Sequence, residues 1–226
     1  MSTRSRLAVL AACAVVALLV AWYAGSRFNP SPAAPAAGSV RLGPEAGEQV
    51  ATYLARLPST LPAEGVHAPA LVQLSTDAAP PDALAAVAGT TPLTAVFRVP
   101  LPRVQTALRF VVLESGVPVA TALDNARVRA EREAVADASH LTDRPRAVAA
   151  AEAVALGRPD CRCVVALVVD GDRAGLDAVA RRVLVRAVEA APPGTTEVEL
   201  ALSPLLPEQT VRADPPPDDG PVPPAS

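Results

Sequence analysis

The chain contains no lysine and no isoleucine, and its asparagines are confined to Asn29 and Asn125. Without lysine there is no Schiff base and no ammonium for a phosphate loop. Abundant Ala, Val, Arg and Pro beside that absence reflect the codon bias of a GC-rich bacterial genome, so Arg is simply the available cation. Aromatics are equally scarce: of six, Tyr53, Phe97 and Phe110 alone lie beyond residue 43. That is too few for a platform on which bases or sugars stack. The two imidazoles, His67 and His140, stand in separate segments with no nucleophile motif around either. There is no Gly-x-Ser-x-Gly, no His-Glu-x-x-His, no phosphate loop and no dinucleotide fingerprint. No basic field is present either. The formal net charge is −3, and residues 44–207 hold 15 Arg against 19 acids. Nucleic acid is therefore not an expected partner.

What the chain does have is a long apolar run. Residues 7–24 are 18 consecutive uncharged residues. As a helix they span roughly 27 Å, close to the hydrocarbon thickness of a bilayer. Trp22 and Tyr23 stand where an interfacial aromatic belt belongs. Arg4 and Arg6 precede the run and Arg27 follows it, a bias that predicts a cytoplasmic N-terminus and an exported remainder. Cleavage after Ala24 would put Trp22 at the −3 position, which a signal peptidase disfavours. Cys13 closes a lipobox-like Leu-Ala-Ala-Cys, but the apolar run continues past it instead of opening onto a polar tether. The expectation is an uncleaved anchor in the plasma membrane. The predicted organisation is a cytoplasmic segment 1–6, a transmembrane helix 7–24, a Pro/Ala-rich linker 25–43, an extracytoplasmic α/β domain 44–207 and a disordered Pro/Asp-rich tail 208–226.

Within 44–207, periodicity predicts a helix over 45–57, stopped by Pro58, and a strand over 66–75. A loop at 77–81, a short helix over 82–88 and strands over 93–99 and 108–113 follow. Pro118 opens a helix to residue 139, with Arg127/Glu131 and Arg129/Glu133 expected on its outer face. Asp143 caps a second helix to Leu156, with Gly157 as its stop. Residues 163–169 lack any polar alternation, as suits a central strand buried on both faces. Residues 183–189 fit either the end of an amphipathic helix or a strand; a helix to about residue 182 followed by a strand is preferred. A last strand covers 197–202, with Val198, Leu200 and Leu202 inward. The fold class is α/β: a mixed sheet covered by helices, two β-α-β-β-like halves, and an Ala-rich helical hairpin inserted between them.

Two residue pairs are the candidate site. Cys161 and Cys163 open the central strand, and in an exported domain they meet an oxidising compartment. In a regular strand such a pair stands too far apart to bond, but a turn at residues 160–162 brings them together. A local disulfide leads, with structural thiols or a metal or redox role as alternatives. Asp170 and Asp172 flank Gly171 beyond the same strand, where sites of open α/β sheets gather. They suit a divalent cation held together with Asp177, or the ordinary cap of the following helix. No catalytic, cofactor or metal residue is assigned from the sequence.

The Arg-flanked anchor, Cys161-Arg162-Cys163-Val164-Val165-Ala166 and Ser203-Pro204-Leu205-Leu206-Pro207-Glu208-Gln209 resemble those of single-pass envelope proteins of GC-rich bacteria. The resemblance implies an anchored, exported domain and no activity. Binding or scaffolding in the cell envelope, with a protein partner on the helical hairpin, is the expected function. The alternatives are an envelope enzyme or metal-handling protein using the Asp170/Asp172 and Cys161/Cys163 pairs together at one end of the sheet, or a cytoplasmic regulator.

Overall fold

A computed structural model describes residues 38–224. The expected cytoplasmic segment 1–6, the expected transmembrane helix 7–24 and most of the expected linker lie outside the described residues. Among the described residues, no helix is long and apolar enough to cross a membrane.

The described residues form seven strands and five α-helices: β1 (Val40–Leu42), α1 (Val50–Arg56), β2 (Ala68–Ala78), α2 (Pro80–Ala86), β3 (Thr91–Phe97), β4 (Arg109–Val112), α3 (Val119–His140), α4 (Asp143–Leu156), β5 (Val164–Gly171), α5 (Arg173–Ala180), β6 (Val185–Ala190) and β7 (Leu200–Leu202). Five strands make one sheet in the order β4-β3-β5-β2-β6. The apolar run after Cys163 is indeed its central strand. The short helix followed by a strand, expected around residue 183, is also present as α5 and β6.

The sheet is not mixed. β5 lies antiparallel between β3 and β2, and β6 is antiparallel to β2. The two β-α-β units, β2-α2-β3 and β5-α5-β6, each hold a strand of the other between their own strands. They are interlocked split β-α-β units. Parallel strands thus never become hydrogen-bonded neighbours in this sheet. The parallel pairing is elsewhere, between β1 and β7 in a separate two-stranded ladder. The two halves also differ in their third strand, since β4 extends the main sheet and β7 leaves it. Val198, expected inward, stands exposed in a 3₁₀ turn over Glu197–Glu199.

Both faces of the sheet are covered. One packs Val72, Leu74, Phe97 and Leu167 against helical residues Ala83, Leu123, Ala126, Ala130, Leu176 and Val179. Ala126, Ala130 and Ala134 recur every fourth residue on α3, so a helix backbone approaches the sheet closely. The other face carries Leu71, Val96, Val165 and Val168 under Leu42 and Leu206. Beside it, Val50, Tyr53 and Leu57 pack with Ala187, Leu205 and Ala213.

The helical hairpin α3/α4 falls where the sequence places it, but Arg127 is not on its outer face. It is buried and donates to the Leu156 carbonyl, capping α4, and to Asp124 at 2.7 Å. A helix leaves its last carbonyls unpaired, and Arg127 fills that need from the neighbouring helix. Arg129 turns to Glu114 at 2.6 Å and to the Val112 carbonyl on β4.

Both domain boundaries shift. Residues 40–43, assigned to the linker, belong to the fold. Gly43 has φ +118 and donates its N–H to buried Glu189 at 2.5 Å. A Cβ there would collide with the backbone of Ser203. The first helix begins at Val50, not residue 45, because residues 47–50 pair with the chain around Arg212. Residues 208–224, expected to be a disordered tail, lie against the fold. They have no apolar period to give them away, but they are fixed by backbone bonds to residues 47–50 and by ion pairs further along.

Candidate site at the Cys161–Cys163 end of the sheet

The two predicted pairs do not share a site. Cys163 precedes β5 and Asp170 is near its far end, so at about 3.3 Å per residue they stand about 23 Å apart. The proposed joint use of both pairs at one end of the sheet is corrected accordingly.

At the far end, Asp172 is the N-cap of α5 and accepts from the Gly175 N–H at 2.8 Å. Asp170 faces exposed His67, with Nδ1 and Oδ2 at 2.8 Å. Asp172 and Asp177 border a pocket of about 350 Å³, also lined by Glu64 and Arg173. Arg173 lies 4.0 Å from Asp177 and donates to the Pro62 carbonyl. Among the described residues no group of three or more His, Cys, Asp and Glu is placed to hold a metal ion.

At the near end, α4 stops at Leu156 and the chain turns tightly, the Cys161 N–H donating to the Arg158 carbonyl at 3.1 Å. The turn brings the Cys161 and Cys163 sulfurs into bonding contact, with Cα atoms 5.4 Å apart. The Cys163 carbonyl accepts from the Arg98 N–H at 2.8 Å, which seats the pair on the sheet. Both cysteines are buried from the outside but line a pocket of about 520 Å³. Val99 and Leu101 after β3 and Ala151 and Val154 of α4 supply its apolar walls; Arg158, Asp160 and Arg162 supply the charge. Apolar walls with a few polar groups on a rigid frame are the usual character of a ligand pocket. Pro223 and Pro224, from the end of the chain, form part of its rim.

Near this end lies Asp77. Its carboxyl is pushed up by burial, only partly offset by the Arg98 guanidinium, and Oδ1 has no hydrogen-bond partner. Arg98 is itself buried and grips Glu208 through two bonds of 2.6 and 2.9 Å.

Two buried polar clusters escaped the sequence reading. In one, Gln73 donates to the Tyr53 hydroxyl, which donates to Glu189, which also pairs with Arg56. Burial and the nearby Glu189 drive the Tyr53 hydroxyl far above its ordinary value. In the other, Arg109 is held by Glu152 at 2.7 Å and Asp137 at 2.9 Å. Burial works against the Arg109 charge, but these bonds outweigh it and hold the guanidinium above its ordinary value. A pocket of about 300 Å³ opens beside Arg109, Arg144 and Asp218. The available signal was a charged residue inside an apolar stretch, Glu152 in Ala151-Glu152-Ala153 and Arg109 in Leu108-Arg109-Phe110. Buried charges require partners, and these partners lie far apart in sequence. Comparison with protein-family models, curated proteins and solved structures gives no match.

Proposed function

We propose that this chain is a single-pass membrane-anchored protein whose exported α/β domain acts as a binding or scaffolding module in the bacterial cell envelope. The pocket beside Cys161 and Cys163 receives the partner. That pocket is the observation that carries the reading: apolar walls, a charged rim and a rigid sheet beneath. The apolar run at 7–24 with its preceding arginines supports the anchor and its orientation. Two sulfurs in bonding contact suit an oxidising compartment outside the cytosol. The helical hairpin takes part through Val154 of α4 and Arg158 in the turn just beyond it, both of which line the pocket.

A photo-crosslinking side chain in place of Val154, used in intact cells, is expected to trap a specific envelope protein. A reporter enzyme that works only after export, fused behind Gly43, is expected to be active. Activity of a cytosol-restricted reporter at that position, or mature protein beginning past Ala24, overturns the anchored reading. Absence of any trapped protein from Val154 overturns the role of the pocket.

A further inference from the structure

Residues 208–224 run across the domain as a strap that ends at the pocket. The strap leaves residues 47–50 after Ala213 and crosses to the loop behind β3. There Asp219 pairs with Arg103, with Oδ1 2.7 Å from Nε, and Asp218 lies 3.1 Å from Arg144. Asp218 also accepts from the Gln105 N–H at 3.1 Å, and the Gln105 side chain donates to the Pro216 carbonyl at 2.7 Å. The Gly220 N–H donates to the Arg103 carbonyl at 2.7 Å. Pro223 and Pro224 then reach the rim of the pocket.

We propose that this pocket and the adjoining Arg103/Arg144 ledge are a docking site for an acidic, proline-rich extended segment of a partner protein, and that residues 214–224, which hold the ledge and border the pocket, are the chain's own ligand for it. The inference rests on the binding reading above and names the class of ligand. The chain itself displays the chemistry: two adjacent aspartates on two arginines, then prolines at the rim of an apolar pocket. Proline-rich segments hold an extended shape before binding and so lose little entropy on docking. The strap is also built to let go. Beyond Ala213 its one buried residue is Gly220. Its ion pairs are exposed, a kind that contributes little to holding a segment in place. Its tether keeps it at an effective concentration on the order of millimolar, so it masks the site until something competes.

The test uses the full-length chain in detergent and a fluorescein-labelled peptide with the sequence of residues 214–224, read by fluorescence polarisation. A Cβ at Gly220 would overlap the Pro102 carbonyl and the Arg103 backbone, so Gly220→Ala expels the strap without touching the core. The peptide is expected to bind Gly220→Ala at least about tenfold more tightly than the unaltered chain, as removal of a self-masked population requires. Asp218→Asn with Asp219→Asn loosens the strap by a second route and is expected to give a gain in the same direction. Adding Arg103→Glu and Arg144→Glu to Gly220→Ala is expected to abolish binding. Equal affinity for the unaltered and loosened chains, or no binding to either loosened chain, overturns the proposal. So does a doubling of molecular mass in Gly220→Ala, which would assign the strap to exchange between copies. If the Val154 crosslink traps a partner while the peptide fails, the ligand class falls and the binding reading stands.

Discussion

The Tyr53 hydroxyl donates to Oε2 of Glu189 at 2.9 Å, joining α1 to β6 inside the protein. The same oxygen accepts from the Gly43 N–H, and Oε1 receives Arg56 at 2.9 Å. On the other side the hydroxyl accepts from Gln73 at 2.6 Å, whose carbonyl oxygen accepts from Leu205 N–H. One side-chain network therefore ties the segment entering the fold to α1, β2, β6 and the loop after β7. Tyr53→Phe leaves Gln73 and Glu189 each one bond short and is expected to cost about 1–3 kcal/mol. Glu189→Ala is worse, because Tyr53 and the Gly43 N–H lose their acceptor together, at about 1–3 kcal/mol each, while half-exposed Arg56 keeps Glu48. Urea denaturation of each variant measures both. Glu189→Ala no more costly than Tyr53→Phe would show that the carboxylate is not the hub.

Where local signals sufficed, the sequence was informative. Pro118 and Gly157 bracket the helical hairpin, and α4 runs over the residues expected of it. Central β5 is legible because Val164 to Val169 offer no polar face. The interleaving of the two β-α-β units is not legible, since nothing near Leu71 or Val96 states that both will pair with β5. β1 hides in the linker because three residues, Val-Arg-Leu, carry no period, and its partner is β7, at Leu200–Leu202. The strap hides for a related reason: backbone bonds and ion pairs hold it, and neither leaves an apolar pattern. In the candidate site, the Cys161–Cys163 turn and the Asp172 cap were visible locally. The pocket was not, because Val99, Val154 and Pro223 come from three distant segments.

The strap predicts an acid dependence. The Gln105 N–H and the Arg144 guanidinium hold the Asp218 carboxyl below its ordinary value of 3.8, and Arg103 does the same for Asp219. A carboxyl depressed in the fold stabilises it fully above that ordinary value, and the contribution fades as pH falls through the depressed one. Amide exchange at Gly220, whose N–H donates to the Arg103 carbonyl, is therefore expected to lose protection, relative to the core, below about pH 4. High salt at neutral pH should weaken it too, because exposed pairs are screened. Protection unchanged under both conditions would show that the ion pairs do not hold the strap.

Asp77 has the opposite sign. Burial raises its carboxyl above the ordinary 3.8 despite nearby Arg98, so the charged form is disfavoured in the fold. Such a group lowers stability as pH rises from the unfolded value through the raised one. Asp77→Asn removes the charge and is expected to raise the melting temperature at neutral pH. The advantage should shrink toward zero below the ordinary carboxylate value, where Asp77 is neutral in both states. Thermal melts of both proteins at pH 3.5 and pH 7 decide it; a Tm lowered by Asp77→Asn at pH 7 would mean that Arg98 needs the negative charge more than burial opposes it.

The Cys161–Cys163 contact makes a prediction about covalent state and another about stability. Arg162 lies between the two cysteines, so trypsin cuts within the bridged segment. If the chain is exported and oxidised, the peptides ending at Arg162 and beginning at Cys163 stay joined until a reductant parts them, which peptide mass spectrometry reads directly. Two separate, alkylatable peptides from unreduced protein would indicate free thiols and count against an oxidising compartment. The expected stabilisation is modest, because closing so small a loop removes little freedom from the unfolded chain. Loop-closure entropy for three residues gives about 1.5 kcal/mol, against about 3 for fifteen. Cys161→Ala with Cys163→Ala should thus lower stability by roughly that amount while leaving the fold intact. A markedly larger loss that persists under reducing conditions would show that sulfur packing against the pocket wall, not the bond, is what the two side chains supply.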